Sequence, residues 1–237
     1  MIVFNPFKYK RTNYKGGGLN PDFIPDNKKC FTNVPVRFLA PRKIDSRDLL
    51  LSVSDQQDTS HCAGYAVAGY IEYLKWRKYH YPQIIDGDEI YMKAKELEGN
   101  ELEGTTLYWA FRAAKKMNML KGEISYIDEQ SMSIKQMPLH KKKEYAVKFA
   151  LHKFGILTAG FNITNEWNTV QKNNSKIINL KNESIFIGAH AVIICGYDNN
   201  GIYIKNSWGN QWGHHGFAIL EWEQFYRQYI YGIAIEI

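Results

Sequence analysis

Cysteine is scarce in this 237-residue chain, which has only Cys30, Cys62 and Cys195. Thiols so few and so far apart cannot build a disulfide framework, and the odd count leaves at least one free even if two pair. That usage fits a reducing compartment. Long apolar runs are missing too. Nothing approaches the roughly 18 apolar residues of a membrane span, and "MIVFNPFKYKRTNYKGGG" at the N-terminus has no uninterrupted apolar core of signal-peptide length. The expectation is a soluble protein without membrane insertion, cytoplasmic or exported without a classical signal peptide. Acidic residues are the minority sign, 24 against 30 Lys and Arg, for a formal charge of +6. Part of the excess lies in "KYKRTNYK" (8–15) and "HKKKE" (140–144), read as solvated faces. No zinc-finger spacing, RNP-like string or basic–aromatic alternation points to nucleic acid. No Gly-rich phosphate loop or metal-ligand spacing points to a cofactor or a metal; adjacent His214 and His215 diverge and make a poor ligand pair.

Proline is thin and unevenly placed. Five of the seven, Pro6, Pro21, Pro25, Pro35 and Pro41, fall in the first 41 residues, among Gly, Asn and Lys. Residues 1–40 therefore read as an extended or turn-rich N-terminal extension. The remainder, with 45% hydrophobic and 14% aromatic residues over the whole chain, is ample for a full core. "CAGYAVAGYIEYLKWRKY" (62–79) is free of proline, opens behind the candidate caps Asp58, Thr59 and Ser60, and predicts a helix. Its first turns, Ala63, Gly64, Ala66, Ala68 and Gly69, are small all round, as expected of a central helix packed on every side. Further helices are expected over 88–98, 106–118 and 141–154. After Gly155 the pattern becomes short β-rich runs, "ILTAGFNI", "HAVIICGY", "GIYIKNSW", "FAILEW" and "YGIAIEI", with a hairpin signal at "YDNNGIY". Helices followed by strands predict an α+β protein with two unlike lobes, a helical one over about 55–150 and a β-rich one over about 151–237.

The chemistry centres on Cys62. At a helix N-terminus, unpaired N–H groups and the helix dipole favour thiolate, although small buried thiols are common in cores. A partner base is needed. His190 opens the apolar run "HAVIICGY", and the return strand carries "KNSWGNQWG", a tryptophan- and glycine-rich stretch costly as ordinary strand. If the hairpin turns at Asn199 and Asn200, regular pairing sets Asn206 opposite Ile193, three residues from His190, so a bulge or bend must close that gap or the turn lies elsewhere. Cys195, five positions after His190, reads as core packing. Cys30 has no evident partner.

Over residues 41–237 the sequence resembles the papain-like cysteine peptidases. The features that carry the resemblance are Gln56, Cys62, the His190 of "HAV…GY" and the Asn206 of "KNSWG…WG…G", in that order. His190 and Asn206 lie 128 and 144 residues after Cys62 (190 − 62 and 206 − 62), near the 130–150 of papain and the cathepsins. "NPDFIPDNKKCF" (20–31), "PRKIDSRDLLLSVSDQQ" (41–57) and "LEGTTLYWAFRAAKK" (102–116) resemble segments of the bacterial, xylellain-like branch. The resemblance implies a two-lobed fold with a central helix carrying the nucleophile and an antiparallel sheet or barrel opposite. It implies a Cys62 thiolate beside a His190 imidazolium, an Asn206 orienting the ring, and a Gln56 that donates to the oxyanion with the N–H of Cys62. Trp208 would cover the His–Asn bond. Glu103, Gly104 and Thr105 would pair with substrate backbone. The expected substrate is a peptide or protein, the expected state a monomer, and no cofactor is called for.

The departures are local. Thr59 replaces a cysteine of the secreted signature and Ala63 an aromatic residue, while His61 adjoins the nucleophile, to face solvent or tune the thiolate. Residues 1–40 are a candidate cleft-blocking segment, with an ordered strap or tail of no regulatory role as the alternative. Two other functions stay open: an acyl transferase or deamidase on the same fold, and a catalytically silent peptide-binding module.

Overall fold

The computed structural model describes residues 18–20, 38–50, 52–128, 137–170, 176–177 and 185–236. Cys30 lies outside them. In chain order the elements are β1 (Ile44–Asp45), α1 (Cys62–Tyr79), α2 (Gly87–Glu98), α3 (Leu107–Lys116), β2 (Glu123–Ile127), α4 (Leu139–Phe154), β3 (Leu157–Thr164), β4 (Lys176–Ile177), β5 (Phe186–Tyr197), β6 (Gly201–Lys205), β7 (Phe217–Glu221), α5 (Trp222–Gln228) and β8 (Tyr229–Glu236). The strands make one sheet in the order β2-β8-β3-β5-β6-β7-β4, with β1 added to β5. Every pairing is antiparallel except β4 with β7. The α+β class, with its helical group against an antiparallel sheet, is as the sequence predicts.

The helix at 62–79 has the expected bounds, because its sequence has no breaker before His80, whose left-handed φ of 52° ends it. Eleven of its first twelve residues, Cys62 to Tyr73, are buried; only Tyr65 is not. Small side chains let α2, α3 and β5 all approach this one rod, so it positions Cys62 at the meeting of helices and sheet. Its N-terminus differs from expectation. The cap position falls on His61, whose side chain makes no capping bond. Thr59 and Ser60 turn elsewhere, to the carbonyl of Gln56 and the carboxylate of Glu103. By contrast, Asp86 and Thr106 cap α2 and α3 through bonds to the N–H groups of Asp88 and Trp109.

Two elements depart from the sequence reading. The front half contributes β2, which pairs along its full length with β8 at the sheet's edge. "FAILEW" stops being strand at Glu221, because Trp222 starts α5, stacks on Tyr226 one turn later and donates its indole N–H to the carbonyl of Asp198. The β5–β6 hairpin turns where expected, with Tyr197 opposite Ile202 and Gly196 opposite Tyr203, then shifts by one so that Ile194 faces Ile204 and Ile193 faces Lys205. That bulge falls at Cys195, which is buried and donates its thiol to the Tyr203 carbonyl. Among the described residues no helix is long and apolar enough to cross a membrane.

Candidate active site

His190 sits in β5, opposite Phe161 of β3, with none of its surface exposed. Its Nε2–H donates to Asn206 Oδ1 at 2.8 Å, and the same oxygen accepts the Ser207 N–H at 2.8 Å. The bulge at Cys195 is what shortens the return path enough for Asn206, just past β6, to reach a ring sixteen residues earlier. Trp208 lies over the imidazole with ring centroids 4.7 Å apart, and Trp167 meets it edge-on at 6.2 Å. Trp167 in turn stacks on Trp212, its indole bonded to Gln228 Oε1 at 2.7 Å. Aromatic walls thus leave the ring little rotational freedom. The other nitrogen, Nδ1, is buried without a hydrogen-bond partner.

Cys62 is fully buried, and the N–H groups of Ala191, Ala63, Gly18 and its own residue point to its sulfur. The Ala191 contact places the thiol against the residue next to His190. Burial pushes the thiol up to about 12, against the pull of those N–H groups. Burial likewise brings His190 down to about 4, opposed by its bond to Asn206. While the sulfur and the ring stay buried, both shifts favour the neutral forms, thiol and imidazole.

Gln56 is also in place. Its loop pairs with the residues after Asn206: Gln56 N–H donates to the Ser207 carbonyl, Gly209 N–H donates to the Ser54 carbonyl, and Asp55 bridges Trp208. The carboxamide oxygen accepts the Ser207 hydroxyl at 2.7 Å, fixing the amide so that Nε2 points back toward Thr59, whose carbonyl takes one N–H at 2.6 Å.

A short strap of the chain itself, residues 18–20, lies against the thiol. Leu19 N–H donates to the Ala189 carbonyl at 3.2 Å, Thr105 N–H donates to the Gly18 carbonyl at 3.0 Å, and Asn20 N–H donates to the Thr105 carbonyl at 3.0 Å. Leu19 and Thr105 thereby form a parallel bridge across which the strap 18–20 passes over the thiol. Leu19 is 4% exposed and packs against Gly160. The edge that receives it is the expected 103–105 segment. Gly104 has φ +82° and so little room that a Cβ would lie 2.4 Å from the Gly18 carbonyl oxygen, which restricts this position to glycine.

His61 is half-buried and does not stand alone. Its Nδ1–H donates to Asp88 Oδ1 at 2.7 Å, and its ring stacks on Tyr91 with centroids 3.7 Å apart. This cluster and the strap's seat are features that the sequence reading did not place. The first depends on contacts 27 and 30 residues along the chain, and the second on three residues within a proline-rich tract.

A thiol at the head of a buried central helix, against the residue next to a histidine that is bonded to an asparagine carboxamide on the sheet, is the arrangement that a thiol peptidase fold carries. Residues 40–228 match the papain family cysteine proteases, and the chain belongs to that family. Among solved structures it is similar to xylellain, a cysteine protease from Xylella fastidiosa, at 20% identity and TM-score 0.70, covering 96% of this chain and 99% of that one. It is also similar to procathepsin B S9 from Trypanosoma congolense (13% identity, TM-score 0.63, 94% and 86% covered) and to digestive procathepsin L 3 from the larval midgut of Tenebrio molitor (14%, 0.62, 89% and 75%). No curated protein sequence matches significantly.

Proposed function

We propose that the protein is a cysteine endopeptidase in which Cys62 attacks the scissile carbonyl of a peptide. His190 takes the thiol proton and delivers it to the leaving amine, and water activated by the same imidazole then releases the acyl group as the acid product. Asn206 orients the ring without adding charge, Trp208 shields that bond, and Gln56 with the Cys62 N–H holds the oxyanion. Glu103, Gly104 and Thr105 supply the substrate-pairing edge. The observation that best supports this is the imidazole itself: Nε2 is fixed on Asn206 while Nδ1 is left buried and unpartnered, beside a residue whose N–H reaches the Cys62 sulfur. A ring that served only as packing would gain by satisfying both nitrogens.

The strap supports a second element of the reading, that residues 1–40 are a cleft-blocking segment ahead of a peptidase domain at 41–237. Leucine burial and three backbone hydrogen bonds together favour the strap by about 3–7 kcal/mol, against about 3–6 kcal/mol for ordering three residues. Such a segment is held only marginally and a substrate can displace it.

Treatment with a peptidyl epoxide, followed by mapping of the adduct, tests the chemistry. The expected result is a single adduct on Cys62 that is lost in His190→Ala. No adduct, with iodoacetamide still able to reach Cys62, would favour a silent peptide-binding module. The mass change in a cleaved or modified substrate separates hydrolysis from amine transfer or glutamine deamidation. Equal activity of the full chain and a form starting at Pro41 would remove the inhibitory role of the strap.

A further inference from the structure

The edge that pairs with backbone in the cleft is held from outside by three side chains. Ser60 Oγ–H donates to Glu103 Oε1 at 2.6 Å, the buried Gly104 N–H donates to the Tyr91 hydroxyl oxygen at 3.1 Å, and Thr105 Oγ1–H donates to Glu98 Oε2 at 3.0 Å. Glu98 is also fixed by Lys95, at 3.0 Å. The middle tie differs from the others in gripping backbone, at the glycine against which the strap lies. Its geometry depends on where the Tyr91 ring sits on α2.

His61 controls that ring. Its imidazole covers one face of Tyr91, nearly parallel at 22°, and is itself held by Asp88, one residue into α2. Asp88 is steadied in turn by a bond from the Tyr65 hydroxyl. The residue immediately before Cys62 is thereby linked, through Asp88 and Tyr91, to the N–H of Gly104. We propose that His61 is a positioning residue for substrate: by clamping Tyr91 it sets the 103–105 edge at the depth where a peptide backbone can pair while its carbonyl reaches Cys62. This rests on the peptidase reading above and extends it to a residue at which the chain departs from its family's pattern. Removing the imidazole leaves the tyrosine free to turn, costs Gly104 its acceptor and slackens the edge. The N–H groups of Ala63 and Ala191 that surround the sulfur do not depend on that edge.

The two effects can be separated by reagents of different reach. Iodoacetamide needs only the Cys62 sulfur; a leucine-containing peptidyl epoxide also needs the edge. Both require the strap to open, so the ratio of their second-order rate constants on the full-length protein cancels that step. We expect His61→Ala to lower the epoxide-to-iodoacetamide ratio roughly fivefold to tenfold, about the worth of one hydrogen bond. Tyr91→Phe, which removes only the accepting oxygen, should lower it similarly, and the double variant no further. His61→Phe, keeping the stack and losing the Asp88 bond, should recover part of the ratio. An unchanged ratio in Tyr91→Phe, which tests the link even if His61→Ala does not fold, would overturn the proposal. So would a fall in iodoacetamide labelling with the ratio constant, since His61 would then act on the thiol. Cys62 that reacts with neither reagent, in the full chain and in a form starting at Pro41 alike, would sink the nucleophile reading and this one with it; labelling with a constant ratio sinks only this one.

Discussion

The two walls of the cleft are built in different ways. On the imidazole side, His190 is held by Trp208 over its face and Trp167 at right angles to it, with Trp212 behind them and a single hydrogen bond to Asn206. On the thiol side, the 103–105 edge and the residue before Cys62 are held by directional polar ties, His61 to Asp88, Ser60 to Glu103 and Thr105 to Glu98. Aromatic packing is diffuse and tolerant of single polar changes. Hydrogen-bonded ties fail one at a time. On the peptidase reading proposed above, the difference implies that the base is insulated from surface events, whereas the wall proposed to receive substrate is adjustable by single side chains.

The largest effects should come from the reacting groups. Cys62→Ala or His190→Ala should lower peptide hydrolysis by about 10³-fold or more, with little change in fold, as kinetics at matched protein concentration and circular dichroism would show. Equal activity in either variant would break the comparison at its root. Asn206→Ala leaves the aromatic walls but removes the ring's one fixed bond. A loss of roughly 10- to 100-fold in kcat, with KM changed far less, is expected. If the loss falls mainly on KM, Asn206 belongs with the adjustable wall instead.

The strap ranks next. A Cβ on Gly18 would lie 2.1 Å from the Ser60 carbonyl oxygen, which is backbone and cannot swing away. Gly18→Val should expel the strap and raise the rate of Cys62 alkylation about tenfold, judged by the cost of overpacking a fitted contact. The rise should come with a change in pH dependence. Solvent readmitted to the cleft relieves the burial that holds the thiol near 12 and the imidazole near 4, so alkylation of the variant should become substantial near neutral pH while that of the parent stays low. Parent and variant profiles that superimpose would mean that the strap does not govern access.

Much of this was legible in the sequence. The helix 62–79 declares itself through small residues and a missing breaker, the hairpin through Asn199 and Asn200, and the need for a bulge or a bend between His190 and Asn206 through simple register. Of the residues that the resemblance singles out, His190 meets Asn206 and Trp208, Gln56 bonds Ser207 beside them, and the Cys62 sulfur meets the N–H of Ala191. Other features had no local signal. β2 is a short run, EISYI, whose strand character comes from pairing with β8 more than a hundred residues later. His61 reads as a solvent-facing residue until α2 delivers Asp88 and Tyr91 to it. The cap of α1 went to His61 because the hydroxyls of Thr59 and Ser60 found partners that no local pattern encodes.

The smallest effect expected is on stability, and it separates the walls by pH. His190 is lowered from its ordinary 6.5 to about 4 by burial. Its contribution is present above about 6.5 and is lost as pH falls through 4, because unfolding then gains a proton that the buried ring refuses. Cys62 is raised from 9.0 to about 12, so its contribution holds below 9.0 and is lost as pH rises through 12. Acid therefore attacks the aromatic wall and alkali the polar one. Asp45, held down to about 2 by Arg47, adds to acid loss only at lower pH, and Cys195, also pushed up to about 12, shares the alkaline loss. Thermal melts from pH 4 to about 11 should accordingly show a shallower acid decline in His190→Phe than in the parent. Cys62→Ala should leave that acid limb unchanged and flatten the alkaline one only in part. An acid limb that is the same in His190→Phe would mean that the imidazole is already protonated, or hydrated, in the folded protein, and that the aromatic wall does not insulate it.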